Sequence, residues 1–127
     1  MNYSLINIYT KNFYLDNNKI KDKEYNIKPE IGKNIEKIND NSYEVQLKFR
    51  IKGNSENETP FDLELIIAGV FSFKDFSQED IDKFLKINAV YILFPYLRST
   101  LSTVMSSLMM KPILIPVIDV KTFFNED

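Results

Sequence analysis

A chain of 127 residues with net charge −2 is long enough for one domain with a real hydrophobic core. Its charge gives it no general drive toward nucleic acid or an anionic membrane. Cysteine and histidine are both absent, which excludes disulfides, thiolate nucleophiles, imidazole bases, and thiolate or imidazole metal ligands. The 44% apolar and 27% charged fractions are those of an ordinary folded protein.

The start, MNYSLINIYTKNF, lacks the basic and then apolar regions of a signal peptide. Residues 3–16 are rich in β-branched and aromatic side chains and read as a strand, with a bulge near Lys11–Asn12. Loose alternation sets Ser4, Ile6, Ile8 and Thr10 against Tyr3, Leu5, Tyr9, Phe13 and Leu15. Asp16-Asn17-Asn18 supplies turn chemistry. A period-two pattern returns at Tyr25, Ile27, Pro29, Ile31 and Ile35, but proline cannot donate to a ladder, so this strand is irregular or lies at an edge.

Asn39-Asp40-Asn41 marks a tight turn. The run that follows sets Tyr43, Val45, Leu47, Phe49 and Ile51 against Glu44, Gln46, Lys48, Arg50 and Lys52, as expected for an antiparallel strand covered on one side. After a polar loop from Gly53 to Thr59, Phe61 to Lys74 forms another strand. Its second face (Asp62, Glu64, Ile66, Ala68, Val70, Ser72) is apolar at the centre, and a second layer or a partner chain is expected to cover it.

Ser77 caps a short helix expected to run to about Lys86, with Glu79 and Asp80 at the positive end of its dipole. The longest apolar stretch, Asn88 to Pro116, is expected to hold a long helix with Pro95 near its start. Leu97, Leu101, Val104, Met105 and Leu108 make one apolar stripe on it. The opposite face is Ser99, Thr100, Ser102, Thr103, Ser106 and Ser107, and such small hydroxyl residues let another helix approach closely. Lys111-Pro112 ends the helix, Pro112 and Pro116 frame an apolar segment, and Asp119 to Asp127 forms one or two helical turns. Arg98, Lys111, the hydroxyl residues and the prolines interrupt the apolar stretches, so no membrane span is expected and the cytoplasm is the expected location. The fold class is α+β: a four-stranded antiparallel sheet, then a long helix and a short C-terminal helix, in a single domain over residues 1–127.

Catalytic chemistry finds no support in these residues. The three glycines (Gly32, Gly53, Gly69) are isolated and form no phosphate loop. No carboxylate pair lies on an expected apolar cleft, and the helix serines have no partner base. The chain is expected not to be an enzyme and to need no cofactor or metal. By pattern alone Asp62 and Glu64 read as a solvated strand face, while Leu108, Met109, Met110, Phe123 and Phe124 are either core or an adaptable binding surface.

Three segments resemble the SecB family of protein-export chaperones. Ile8-Tyr9-Thr10-Lys11 opens the first strand as the family's IYTKD segment does. Tyr43-Glu44-Val45 begins the third strand, and Gly69-Val70-Phe71 ends the fourth in the family's manner. Ile92-Leu93-Phe94-Pro95-Tyr96-Leu97-Arg98 is similar to LFPYAR and is followed by a proline-framed loop. In order and spacing the match runs from about Leu5 to Phe124.

The resemblance implies an ATP-independent holdase that keeps secretory preproteins unfolded and passes them to the translocase motor SecA. It also implies a homotetramer, a dimer of dimers, with the helices sandwiched between sheets. The hydroxyl face would then join dimers, and Ile27, Ile31, Ile66, Met109, Met110, Phe123 and Phe124 would line client grooves. Asp16, Asp62 and Glu64 would form the SecA contact. Three departures stand out: Asn12 replaces the acid of IYTKD, Asp62 replaces a leucine, and the sequence stops at Asp127 without the family's long acidic tail. A SecB-like chaperone dedicated to a toxin–antitoxin pair or another specific client is the variant reading. A non-chaperone oligomeric adaptor of the same fold is the other.

Overall fold

In the computed structural model, residues 2–17, 29–53, 59 and 61–107 are described. Within them, alternation builds the sheet. In β3 (Ser42–Ile51), Tyr43, Val45, Leu47, Phe49 and Ile51 are all buried on one side. Their cross-strand partners in β4 (Phe61–Lys74), Phe71, Gly69, Ile67, Leu65 and Leu63, share that side because directly opposed residues point the same way. With β1 (Asn2–Asn17) and β2 (Glu30–Asn39) the sheet has the order β1-β4-β3-β2, and every neighbouring pair is antiparallel. The second strand begins just after Pro29 and lies at an edge, as its pattern required. Asn39 closes the β2–β3 turn by accepting the backbone N–H of Asn41 at 2.9 Å.

The first strand differs from its expected alternation. Its register against β4 shifts between Leu5 and Asn7 and again between Thr10 and Asn12, so Ile6 and Lys11 are bulge residues. The bulge at Lys11 was legible; the one at Ile6 was not. Each extra residue inverts the alternation. Ile8 and Thr10 therefore share the helix-facing side with Leu5, Phe13 and Leu15, opposite Gly69 and Ile67, while Tyr9 is turned outward opposite Ala68.

The helical part also differs. Two helices were expected, but the backbone is helical without a break from Gln78 to Ser107: α1 (Gln78–Lys83), a five-residue π segment (Phe84–Asn88) and α2 (Ala89–Ser107). Ser77 caps the start, its hydroxyl accepting the Asp80 backbone N–H at 3.1 Å. Pro95 lies inside α2, not in a first turn. An interior proline costs about 3 kcal/mol, but Pro95 is on the exposed face, while Leu93, Phe94 and Leu97 beside it are buried against the sheet. Burial at several such positions, each worth roughly 1.5–3 kcal/mol, outweighs the proline.

The π segment keeps one sheet-facing stripe continuous, through Ile81, Phe84, Leu85, Val90, Leu93, Leu97, Leu101 and Met105. The buried pair Phe84–Leu85 is followed by the buried pair Ala89–Val90, a step of five residues, and then by Leu93–Phe94, a step of four. Near the helix start Tyr3, Phe71, Phe73, Phe76 and Phe84 form an aromatic cluster with ring centroids 4.6–6.4 Å apart. The helix packs tightly on the sheet at Gly69, where an added Cβ would lie 2.6 Å from Leu93 Cδ2. Leu108, the Pro112–Pro116 segment and the C-terminal turns lie outside the described residues.

Candidate functional site

The sheet face away from the helix carries the polar chemistry. Its centre on β4 is Ile66, Ala68 and Val70, which were expected to need a second layer or a partner. Ala68 is fully buried within the single chain, and side chains from β1 lie over this strip. Tyr9 donates its hydroxyl to Glu44 Oε1, and Lys11 Nζ bonds Glu44 Oε2 at 2.9 Å. Both bonds span β4, so the crossing covers two strand spacings, about 9–10 Å. Only long side chains reach that far, and the small residue between them leaves room.

Gln46 Nε2 adds a third bond to Glu44, at 2.7 Å to Oε2. Burial raises the Glu44 pKa, but the hydrogen bonds from Tyr9, Lys11 and Gln46 outweigh it and hold the carboxyl below its ordinary 4.5. The same pairing raises the pKa of both Tyr9 and Lys11.

A depressed carboxylate pKa contributes stability that is present above the unfolded pKa and is lost as pH falls through the folded one. Stability of the wild type should therefore drop on acidification below about pH 4.5. A Glu44→Gln variant, measured by urea unfolding across that range, should show a shallower pH slope. An unchanged slope would remove Glu44 as a contributor.

Further along the same face, Glu64 accepts Lys48 Nζ at 3.0 Å and Asn12 Nδ2 at 2.8 Å. The Lys48 hydrogen bond is the main cause of its lowered pKa. Asn12, standing where the family pattern has an acid, thus serves as a donor to Glu64. The next pairs along β1 and β4 are Tyr14 opposite Glu64 and Asp16 opposite Asp62. Asp62 Oδ1 accepts the Gly53 backbone N–H at 3.1 Å. The register thus brings Asp16, Asp62 and Glu64 together at one end of the outer face, where Asp62 and Glu64 line a cavity of about 340 Å³ with Tyr14, Arg50 and Lys52.

The groove residues are not brought together in the same way. Ile31 is opposite Phe49, on the helix-facing side, packed against the core; Ile66 is on the outer face, opposite Asn12. Ile27, Met109, Met110, Phe123 and Phe124 lie outside the described residues. On α2, Ser99, Ser102, Thr103, Ser106 and Ser107 are exposed in the single chain and Thr100 is half-buried. Tyr91 and Tyr96, missed by the sequence reading, are also exposed on this helix, at 47% and 48%. Tyr91 follows from the helix continuing N-terminal to Pro95, which the expected boundary hid, whereas Tyr96, just after Pro95, lies inside the expected helix. Among the described residues no group of His, Cys, Asp or Glu could hold a metal ion, and no helix is long and apolar enough to cross a membrane.

The segments that carry the family resemblance meet in space. Tyr9 and Lys11 of the first bond Glu44 of the second, and Leu93 of the last packs at Gly69. The model for the family "Preprotein translocase subunit SecB" matches residues 1–127. A protein-export protein SecB from Bartonella quintana is 32% identical over 130 residues, covering 98% of this chain and 82% of its own length. One from Bartonella bacilliformis is 27% identical, covering 97% and 81%. Among solved structures, a SecB-like chaperone of Mycobacterium tuberculosis in complex with a ChAD peptide from an antitoxin aligns with TM-score 0.71. At 10% identity, over 91% of this chain and 89% of that one, it supports the fold alone.

Proposed function

The chain belongs to the SecB family, and from that membership we propose that it is an ATP-independent holdase for unfolded export precursors, not an enzyme. The observation that carries this reading is the family match over the whole of residues 1–127. It is supported by the absence of a phosphate loop and of any histidine or cysteine, which leaves binding as the available chemistry. Clients would be held extended through many weak apolar contacts, with affinity drawn from buried area and little sequence specificity. Four copies would assemble as a dimer of dimers through the hydroxyl face of α2. Delivery would use Asp16, Asp62 and Glu64 as the contact for SecA.

A dedicated client is the second reading, favoured by the antitoxin peptide in the neighbour of the same fold. One experiment addresses both. Purified protein is added to a chemically denatured precursor diluted into buffer, and light scattering follows its aggregation. A delay at one tetramer per client is the expected result, and no delay at that ratio sinks the holdase reading. Titration with SecA then divides the branches. Binding that is lost in Asp16→Lys and Glu64→Lys supports export, whereas no binding by the wild type favours the dedicated client.

A further inference from the structure

Edge strand β2 turns Ile31, Lys33 and Ile35 to the helix side of the sheet, opposite the fully buried Phe49, Leu47 and Val45. A lysine between two isoleucines interrupts an apolar row, and burial of apolar surface gives no reason for it. Its contact does. Lys33 Nζ leaves the sheet and donates to the backbone carbonyl of Lys86 at 3.1 Å. Lys86 is the middle residue of the π segment, Phe84–Asn88. The helix lies chiefly over β3 and β4, so this bond reaches it from the strand beyond them.

Packing on the sheet does not require the π segment. Buried residues recur four apart from Ile81 to Leu85, and again from Leu93 through Leu97 and Leu101 to Met105. Only the π segment stretches a step to five. One residue fewer between Leu85 and Ala89 leaves every step at four, which an unbroken α-helix supplies. The segment is therefore a one-residue insertion, and such insertions are rare in helices but frequent at functional sites. What it changes is the backbone: the Ala89 N–H bonds back to the Phe84 carbonyl, five residues away. In a regular α-turn each carbonyl points along the axis at the N–H four residues on. Where that ladder is shifted, a side chain can enter it, and Lys33 does so here.

We infer that Lys33 and the π turn form a latch. Closed, it holds β2 to the helix and keeps Ile31 half-buried against the core, beside Ile35 at 36% exposure. Released, it frees the edge strand, whose one neighbour among the described strands is β3, and uncovers the apolar side of Ile31. The latch thus sets how much apolar surface the chain offers to an unfolded client, and in that respect it rests on the holdase reading. The latch itself stands on the geometry alone.

The test is hydrogen exchange by mass spectrometry on the full chain in its native assembly. Lys33→Met keeps the stem and removes the donor. Exchange across Glu30–Asn39 should then quicken about two- to tenfold, the range of one hydrogen bond. Lys33→Arg keeps a donor and should exchange as the wild type does. Deleting Asn88 restores the four-residue steps. The same quickening in β2 is expected there, with the midpoint of thermal unfolding unchanged or raised. Exchange in β2 that is unchanged in Lys33→Met, or quickened equally by arginine and methionine, would overturn the latch. A clearly lower midpoint after the deletion would overturn the insertion and make the π turn a packing element. Calorimetry with reduced, carboxymethylated lactalbumin, a soluble unfolded chain, reads the client side. Lys33→Met should bind it about two- to tenfold tighter than wild type, because the open state no longer has to be populated first. Equal affinities sink the regulatory role. If neither protein binds it, the holdase reading fails while exchange still decides the latch.

Discussion

Replacing Gly69 by valine should destabilise the protein by about 1–3 kcal/mol or more, the range for overpacking a well-filled core. Gly69 is on β4 where α2 crosses it, and a Cβ there would meet Leu93 Cδ2 at 2.6 Å, Leu93 Cδ1 at 3.3 Å and Leu5 Cδ1 at 3.4 Å. The first distance is shorter than any real contact, so something must move. Leu93 ends in flexible atoms, but it is 0% exposed, and in a close-packed interior its rotation displaces other buried side chains. The helix must then lift, and it cannot lift at one residue without loosening Leu97 and Leu101, which are also fully buried. A compensating change checks the cause. Leu93→Ala alone should cost about 2–5 kcal/mol through its cavity. The double variant Gly69→Val with Leu93→Ala should cost clearly less than the sum of the two. Urea unfolding at a fixed protomer concentration reads both. Additive costs would show that the contact with Leu93 is not what excludes a side chain at Gly69.

The same crossing shows what was legible in the sequence and what was not. Buried positions on the apolar side of β3 were readable because each residue of the alternation pairs with a neighbour that repeats it. On the polar side Glu44 and Gln46 are buried too, where Tyr9 and Lys11 reach across β4 to Glu44. The first strand was only half readable. A bulge at Ile6 has no local marker such as glycine, and it exists because of the register against β4. With that bulge unseen, Tyr9 was placed on the wrong side, and its bond to Glu44 across a strand was out of reach. The helix boundary failed for a different reason. Asn88 and Pro95 are poor helix residues by local propensity, but tertiary burial of Ala89, Val90, Leu93 and Phe94 overrides them. The three acids were readable as types and positions, yet their meeting at one end of the outer face depends on the pairing of β1 with β4, the first and last strands in chain order.

The exposed face of the helix leads to the second large effect: Thr103→Arg should convert the proposed tetramer into dimers. In α1 and the π segment the exposed residues include Glu79, Asp82, Lys83 and Lys86, the usual dress of a helix in water. From Ala89 onward the exposed residues are Tyr91, Pro95, Tyr96, Ser99, Ser102, Thr103, Ser106 and Ser107, with no charge among them. Apart from the half-buried Arg98, charge therefore stops partway along one continuous helix, and stability of the monomer gives no reason for that. A second helix packed there does, since small hydroxyls permit axes to approach to about 8–10 Å and can bond across the contact. Tyr91 and Tyr96 would supply the buried area that serines cannot. Thr103 is exposed in the single chain, so arginine there meets no clash within the fold. Its helix propensity is better than threonine's, and circular dichroism should be unchanged. In the assembly the same side chain would bury an unpaired charge against its symmetry mate, a cost of several kcal/mol repeated at each copy. Light scattering of Thr103→Arg should then give the mass of a dimer at micromolar protomer, whereas Thr103→Ser, which keeps the hydroxyl, should stay tetrameric. A tetramer that persists in the arginine variant would move the dimer–dimer contact off this face.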